Sequence, residues 1–163
     1  MLRLLAPLVV LCALAAPVAV IAQQAQIAFG GLRQDTSLPV QVDAESLTVD
    51  QADGSATFSG NVRVEQGTMR LAAAMVRVEY APGGGAISQL HASGGVTFVN
   101  AADAAEAKEA VYSIAEGRVV MTGDVLLTQG RSAISGQKLV IDLKAGTGVM
   151  EGGVSTVFVP GSK

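Results

Sequence analysis

The sequence is poor in the side chains that do chemistry. Among 163 residues there is one cysteine (Cys12), one histidine (His91), no tryptophan and only six other aromatics. One His and one Cys cannot assemble a zinc or iron centre, so no metal and no cofactor is expected. Lysine and arginine together number 11 and form no cluster, which excludes nucleic-acid binding by a basic surface. A Gly-X-Y period is missing and Val, Leu and Ile are plentiful, so collagen and disorder are excluded too.

What is present divides unevenly. Residues 1–22 hold 19 hydrophobic residues and a single charge, Arg3. The order is a positive start, an apolar run over 4–21 and a small-residue exit with Val20 and Ala22, which is the layout of a secretory signal cleaved after Ala22. A retained membrane anchor is the rival reading, since 18 residues can just span a bilayer. Pro17 and the Val-x-Ala exit favour cleavage. Cys12 would leave with the signal, and the mature domain would fold without disulfides in an exported compartment, the bacterial periplasm. The remaining 141 residues carry ten basic and fourteen acidic side chains, enough for one acidic domain with a real core.

Residues 23–36 read as a flexible leader, 37–160 as the folded domain and 161–163 as a short tail. Within the domain, apolar and polar residues alternate, as in Val62-Arg63-Val64-Glu65 and Val76-Arg77-Val78-Glu79, which predicts strands with one buried face. Gly60-Asn61-Val62 returns as Gly123-Asp124-Val125, 63 residues on, and Gly-x-Val starts fall at 60, 94, 123 and 152. Units of this size cannot bury their own apolar face and must stack on one another. The result is an all-β stacked or rolled sheet, with turns at 51–54, 82–85, 115–117 and 144–146. Residues 108–114 follow the repeat as strand, whereas the helix-favouring run 101–107 is expected to be a loop or a helical turn.

No catalytic constellation emerges. His91 has no nucleophile at a suggestive spacing and reads as a polar residue near a strand end. Asp43/Glu45 and Asp50/Asp53 could be imagined as a glycosidase pair or a calcium site, but both flank turns. Gly83-Gly84-Gly85 lacks nucleotide-loop spacing and has no helix after it. What remains is an interior lined mainly by aliphatic side chains, for which a self-filled core is the plain reading, and sheet ends with unpaired backbone groups.

Four segments carry a resemblance. Pro39-Val40-Gln41-Val42-Asp43-Ala44-Glu45-Ser46-Leu47 and Phe58-Ser59-Gly60-Asn61-Val62-Arg63-Val64-Glu65-Gln66-Gly67 are similar to the periplasmic lipopolysaccharide-transport proteins of the LptA/OstA family, as are residues 123–143 and 154–160. The resemblance spans about 37–160. It departs at Ala73-Ala74-Met75, where the family often has Ala-Asp-Lys, and in the near absence of a polar tail after Pro160. It implies a twisted, slightly open antiparallel β-jellyroll of about sixteen short strands. It also implies a carrier that moves lipopolysaccharide from inner to outer membrane with its acyl chains in an apolar groove.

By that resemblance the groove candidates are Val40, Val42, Val62, Val64, Met69, Leu71, Val76 and Val78. The docking edges are strands 38–43 and 154–159, with Leu38, Val40, Val42, Val154, Thr156, Val157 and Val159. The implied partners are lipopolysaccharide, inner- and outer-membrane transport components of the same fold, and further copies joined head to tail. Three other readings stand beside this one. They are a membrane-anchored relative of the same fold, a structural β-repeat scaffold without lipid, and a carbohydrate-active β-solenoid using Asp43, Asp50 and Asp53.

Overall fold

The computed structural model describes residues 25–28 and 33–158. The predicted cleavage point after Ala22, the docking residue Val159 and the tail lie outside the described residues. Among the described residues every element is a strand: β1 (Ala25–Ala28), β2 (Gln41–Asp43), β3 (Ser46–Val49), β4 (Ala56–Gln66), β5 (Met69–Tyr80), β6 (Ile87–Asn100), β7 (Asp103–Ser113), β8 (Arg118–Gln129), β9 (Ser132–Asp142), β10 (Thr147–Glu151) and β11 (Ser155–Val157). They form one antiparallel sheet in the order β1-β10-β9-β8-β7-β6-β5-β4-β2, with β3 also on β4 and β11 also on β9.

The six long strands β4 to β9 are each broken near their middle, where the ladder register shifts. The breaks coincide with the Gly-x-Val starts. Gly60-Asn61, Gly94-Gly95 and Gly123-Asp124 all have positive φ, and Gly152-Gly153 do the same between β10 and β11. These are corners within strands, where a bulge turns the chain sharply. At each corner a neighbouring segment lays a side chain over the first glycine: Glu45, between β2 and β3, on Gly60, then Ala74 on Gly94, Lys108 on Gly123 and Gln137 on Gly152. The halves of the six broken strands, together with β1, β2, β3, β10 and β11, make seventeen short strands, close to the about sixteen that the resemblance implies.

The corners fold the sheet into a V whose halves face each other. One layer contains β2, the glycine-distal half of β4 and its ladder partners through β11; the other runs from β3 to β10 and β1. Tyr112 in β7 proves the fold-over. Three ladder steps separate β7 from β4, roughly 14 Å in a flat sheet, yet the Tyr112 hydroxyl donates to Gln66 Oε1 at 2.6 Å.

Three expectations are corrected. The expected loop is confined to the Ala101-Ala102 turn and does not extend over 103–107: Asp103–Ser113 is one strand, paired with Asn100 through Gln89 on one side and Gln129 through Arg118 on the other. Ala105 is buried at this crowded level, and two ladders outweigh the local helix preference of an alanine-rich run. The leader is also partly structured. Ala25–Ala28 pairs with β10, and Gln34 is buried with its backbone N–H donating to Leu143 O at 3.0 Å. Local sequence hid both, because an alanine-rich run favours helix and a four-residue pairing made by the backbone leaves no long alternating pattern. His91 sits in mid-β6 rather than near a strand end.

Candidate functional site

The interior of the V is one continuous apolar surface. Alternation along each strand sends every second residue inward. Strands with a glycine corner keep their phase across it, as in Leu90, Ala92 then Val96, Phe98. Their neighbours flip phase, as in Met69, Leu71, Ala73 then Val76, Val78. The flip follows from one extra residue at the bulge, since a one-residue slip moves each later side chain to the other face. Of the eight groove candidates, Val62, Val64, Met69, Leu71, Val76 and Val78 are buried in this shared core, with Leu71 the most exposed at 3%. Val40 and Val42 pack against it at the N-terminal end and are half-buried. Sequence reading missed much of the deep lining: Leu90, Met121, Leu143 and Met150 all point inward.

The docking candidates fall at the sheet ends. Strand 38–43 is shorter than expected, with Gln41–Asp43 alone in the ladder, so Leu38 and Val40 precede it. Strand 154–159 reduces to Ser155–Val157 within the described residues; Val154 is half-buried, and Thr156 and Val157 are exposed. A second N-terminal edge went unpredicted. It is β3, where Leu47 is 55% and Val49 60% exposed.

The open side of the V carries a polar seam. Hairpins at 66–69, 100–103 and 129–132 form one lip, and the inward phase of their strands ends on Gln66, Asn100, Asp103 and Gln129. Residues near Tyr112, Ile114 and Leu143 form the facing lip. Gln34 bridges the two: its amide donates to Gln66 O while its backbone holds Leu143. Gln66 Nε2 donates to Thr36 O at 3.0 Å and Leu38 O at 2.8 Å, tying the incoming chain across the gap. Thr68 Oγ1 lies within hydrogen-bond range of Gln34 Oε1 at 3.1 Å and Asn100 Oδ1 at 2.7 Å. Asn100 Nδ2 is buried without a partner among the described residues.

Burial acts on two titratable groups here. It pushes the Tyr112 phenol up to about 12, so this hydroxyl stays a donor at any physiological pH. Replacing Tyr112 by Phe should leave Gln66 Oε1 stranded and cost about 1–3 kcal/mol, read as a lower urea midpoint. Desolvation also raises the Asp103 carboxyl, against a hydrogen bond from Gln129 that lowers it. The folded state therefore holds this proton more tightly than the unfolded chain. That contribution is complete below the ordinary aspartate pKa and is lost as pH rises through the raised value. Asp103→Asn should match the wild type near about pH 3 and exceed it in stability near about pH 7, checked by urea melts across that range.

No catalytic geometry accompanies these features among the described residues. His91 Nε2 lies 2.9 Å from Gln89 Oε1 and 3.6 Å from Glu79, on the outer surface of β6. Asp53 faces Arg77 at 2.6 Å. Its carboxyl is held below the usual range chiefly by hydrogen bonds from Ser55, with Arg77 adding to the effect. Asp43 meets Gln41, and Asp50 accepts from the Ala52 backbone, so the three aspartates are engaged separately.

Comparison with known proteins decides the family. Residues 41–147 match the family described as LptA/(LptD N-terminal domain) LPS transport protein. The chain belongs to this LptA/LptD N-terminal-domain family. The Lipopolysaccharide export system protein LptA of Escherichia coli K12 is 32% identical over 117 residues, which are 68% of this chain and 63% of that protein. The chain thus aligns with somewhat under two thirds of the E. coli protein. An uncharacterized protein of Rhizobium meliloti strain 1021 is 26% identical over 136 residues, covering 78% of this chain and 73% of the relative. The crystal structure of LptH, described as the LptA homologous periplasmic component of the lipopolysaccharide transport device of Pseudomonas aeruginosa, superimposes with a TM-score of 0.69 at 20% identity. It covers 78% of this chain and 99% of LptH, and at that identity it establishes the shared jellyroll fold. Membership makes this chain one of a family of lipopolysaccharide-transport proteins.

Proposed function

We propose that the chain is a periplasmic carrier and bridge that shelters the acyl chains of lipopolysaccharide between the layers of its V. The observation that carries the reading is the continuous, mainly aliphatic inner face from Val62 to Met150, opening at a seam with polar groups on one lip. An amphiphile fits that arrangement: its acyl chains go in and its polar head stays at the rim. Burying about a dozen methylenes gains on the order of 10 kcal/mol before ordering costs, enough to carry lipid through water without covalent chemistry. The protein's own side chains fill the interior, so lipid enters by parting the layers about the glycine corners and displacing contacts along the seam. Acyl chains then replace the side-chain contacts that are lost.

In this reading the carrier docks end to end with inner- and outer-membrane components of its own fold and with further copies of itself. It needs no energy source of its own, because a pump upstream supplies direction. Its sheet ends suit this role: β2 and β3 present outer edges at one end and β11 at the other. Open edges of this kind are templates for strand addition. Val157→Pro removes a backbone donor from the exposed β11 strand. We expect weaker concentration-dependent self-association in size-exclusion runs with a thermal midpoint within a few degrees of wild type. Unchanged association would remove β11 from the interface. Native mass spectrometry of the exported protein tests the carrier reading itself. It should show a population bearing a lipid A-sized adduct, and protein that is lipid-free under all gentle conditions would favour the scaffold reading. N-terminal sequencing of the same sample should begin at Gln23; a retained start would make the chain the anchored relative.

A further inference from the structure

The two ends of the folded sheet are not equivalent. Among the described residues, both layers at the N-terminal end stop on strands with an open outer side, β2 in one layer and β3 in the other. At the C-terminal end one layer stops on β11, whose outer side no described residue pairs with. The other layer stops on β10, and there the chain covers its own edge. β1 lies antiparallel along β10, with Ala25 opposite Met150 and Ala28 opposite Thr147.

A second molecule that continues the sheet in both layers must add one strand to β11 and another to β10. Its β3 has the right form for the second position. It is four residues long, as β1 is, and its apolar side chains Leu47 and Val49 are exposed. β1 and an incoming β3 would use the same donors and acceptors of β10, and each backbone group pairs once.

We propose that β1 is a built-in cover on the docking edge, and that complete end-to-end association exchanges strands: β1 leaves β10 and the β3 strand of a second molecule of this fold takes its place. The inference rests on the head-to-tail reading above and adds a competitor to it. The open β11 edge makes the first contact, while β10 joins after β1 departs. The cover keeps half of the docking edge from pairing indiscriminately until a matching end has already engaged β11. A strand of four residues suits such exchange, because it holds few ladder bonds and lies at the periphery.

The test fixes β1 in place and then frees it. In a Cys12→Ser background, Gln26→Cys and Val149→Cys put a cysteine on each of two residues that face each other across the β1–β10 ladder, at a spacing a disulfide can bridge. Sedimentation velocity over a concentration series should show the oxidised protein self-associating about tenfold or more weakly than the same protein after reduction. Ile27→Pro, which removes a β1 backbone donor opposite Gly148, should associate more tightly than wild type. Oxidised and reduced forms that associate alike, or an Ile27→Pro variant no tighter than wild type, would overturn the cover. If none of these proteins associates at any concentration, the head-to-tail reading fails instead.

Discussion

Phe98→Ala should lower the unfolding free energy by about 3–5 kcal/mol, the usual cost of emptying an aromatic site in a core. Phe98 is 1% exposed and, among the described residues, is one of two aromatic rings fully enclosed by the two layers, the other being Tyr112. Its ladder neighbours are Leu71 and Ala105, and the small Ala105 cannot move to fill the space. A loss of that size is a large share of the roughly 5–15 kcal/mol that holds a domain together. Urea denaturation of wild type, Phe98→Leu and Phe98→Ala checks it. The leucine variant should lose about a third as much, because most of the volume is kept. A Phe98→Ala loss below about 1 kcal/mol would mean the interior readily collapses or was never tightly filled.

The second large effect lies at a corner. Gly94 has φ +82°, and a Cβ built there would sit 2.6 Å from the Ala74 Cβ. Gly95 has φ +87° but open space around it. Gly95→Ala therefore carries only the conformational cost of about 1–2 kcal/mol. Gly94→Ala adds a steric clash and should cost about 2–5 kcal/mol in all. The pair separates two reasons for a glycine. Adding Ala74→Gly should return part of the Gly94→Ala loss, a coupling that denaturant melts of the double mutant measure directly. Equal losses at 94 and 95 would mean that the corner tolerates a side chain on Gly94 and is shaped by backbone angle alone.

Much of this architecture is legible in the residues, and the gaps have physical causes. Period-2 runs such as Val62 to Glu65 give both the strands and the inward face, because one wall of every strand is shielded from water. The Gly-x-Val spacing locates the corners, since Gly60, Gly94, Gly123 and Gly152 need a positive φ under a covering side chain. The phase flip in β5, β7 and β9 is not legible, because the bulge that causes it is set by the glycine on the neighbouring strand. The strand at 103–107 is hidden for a similar reason: its alanines favour helix locally and are held extended by β6 and β8. The polar seam had a signal that went unused. Gln66 and Asn100 continue the inward phase of Val62, Val64 and of Val96, Phe98, so a polar residue at an inward position marks the rim of the interior. β1 has no signal in composition at all, because its role is carried by the backbone of Ala25–Ala28.

These features share one premise, that the inner face of the V is the working surface. Site-specific photo-crosslinking tests it most directly. A photoreactive residue is placed in turn at inward Val62, Val76 and half-buried Val42, and at outward-facing Arg63 and Arg77, in cells that make lipopolysaccharide. The account predicts lipid adducts at the inward positions and none at Arg63 or Arg77. Adducts absent from every inward position, or equally frequent on both faces, would contradict it.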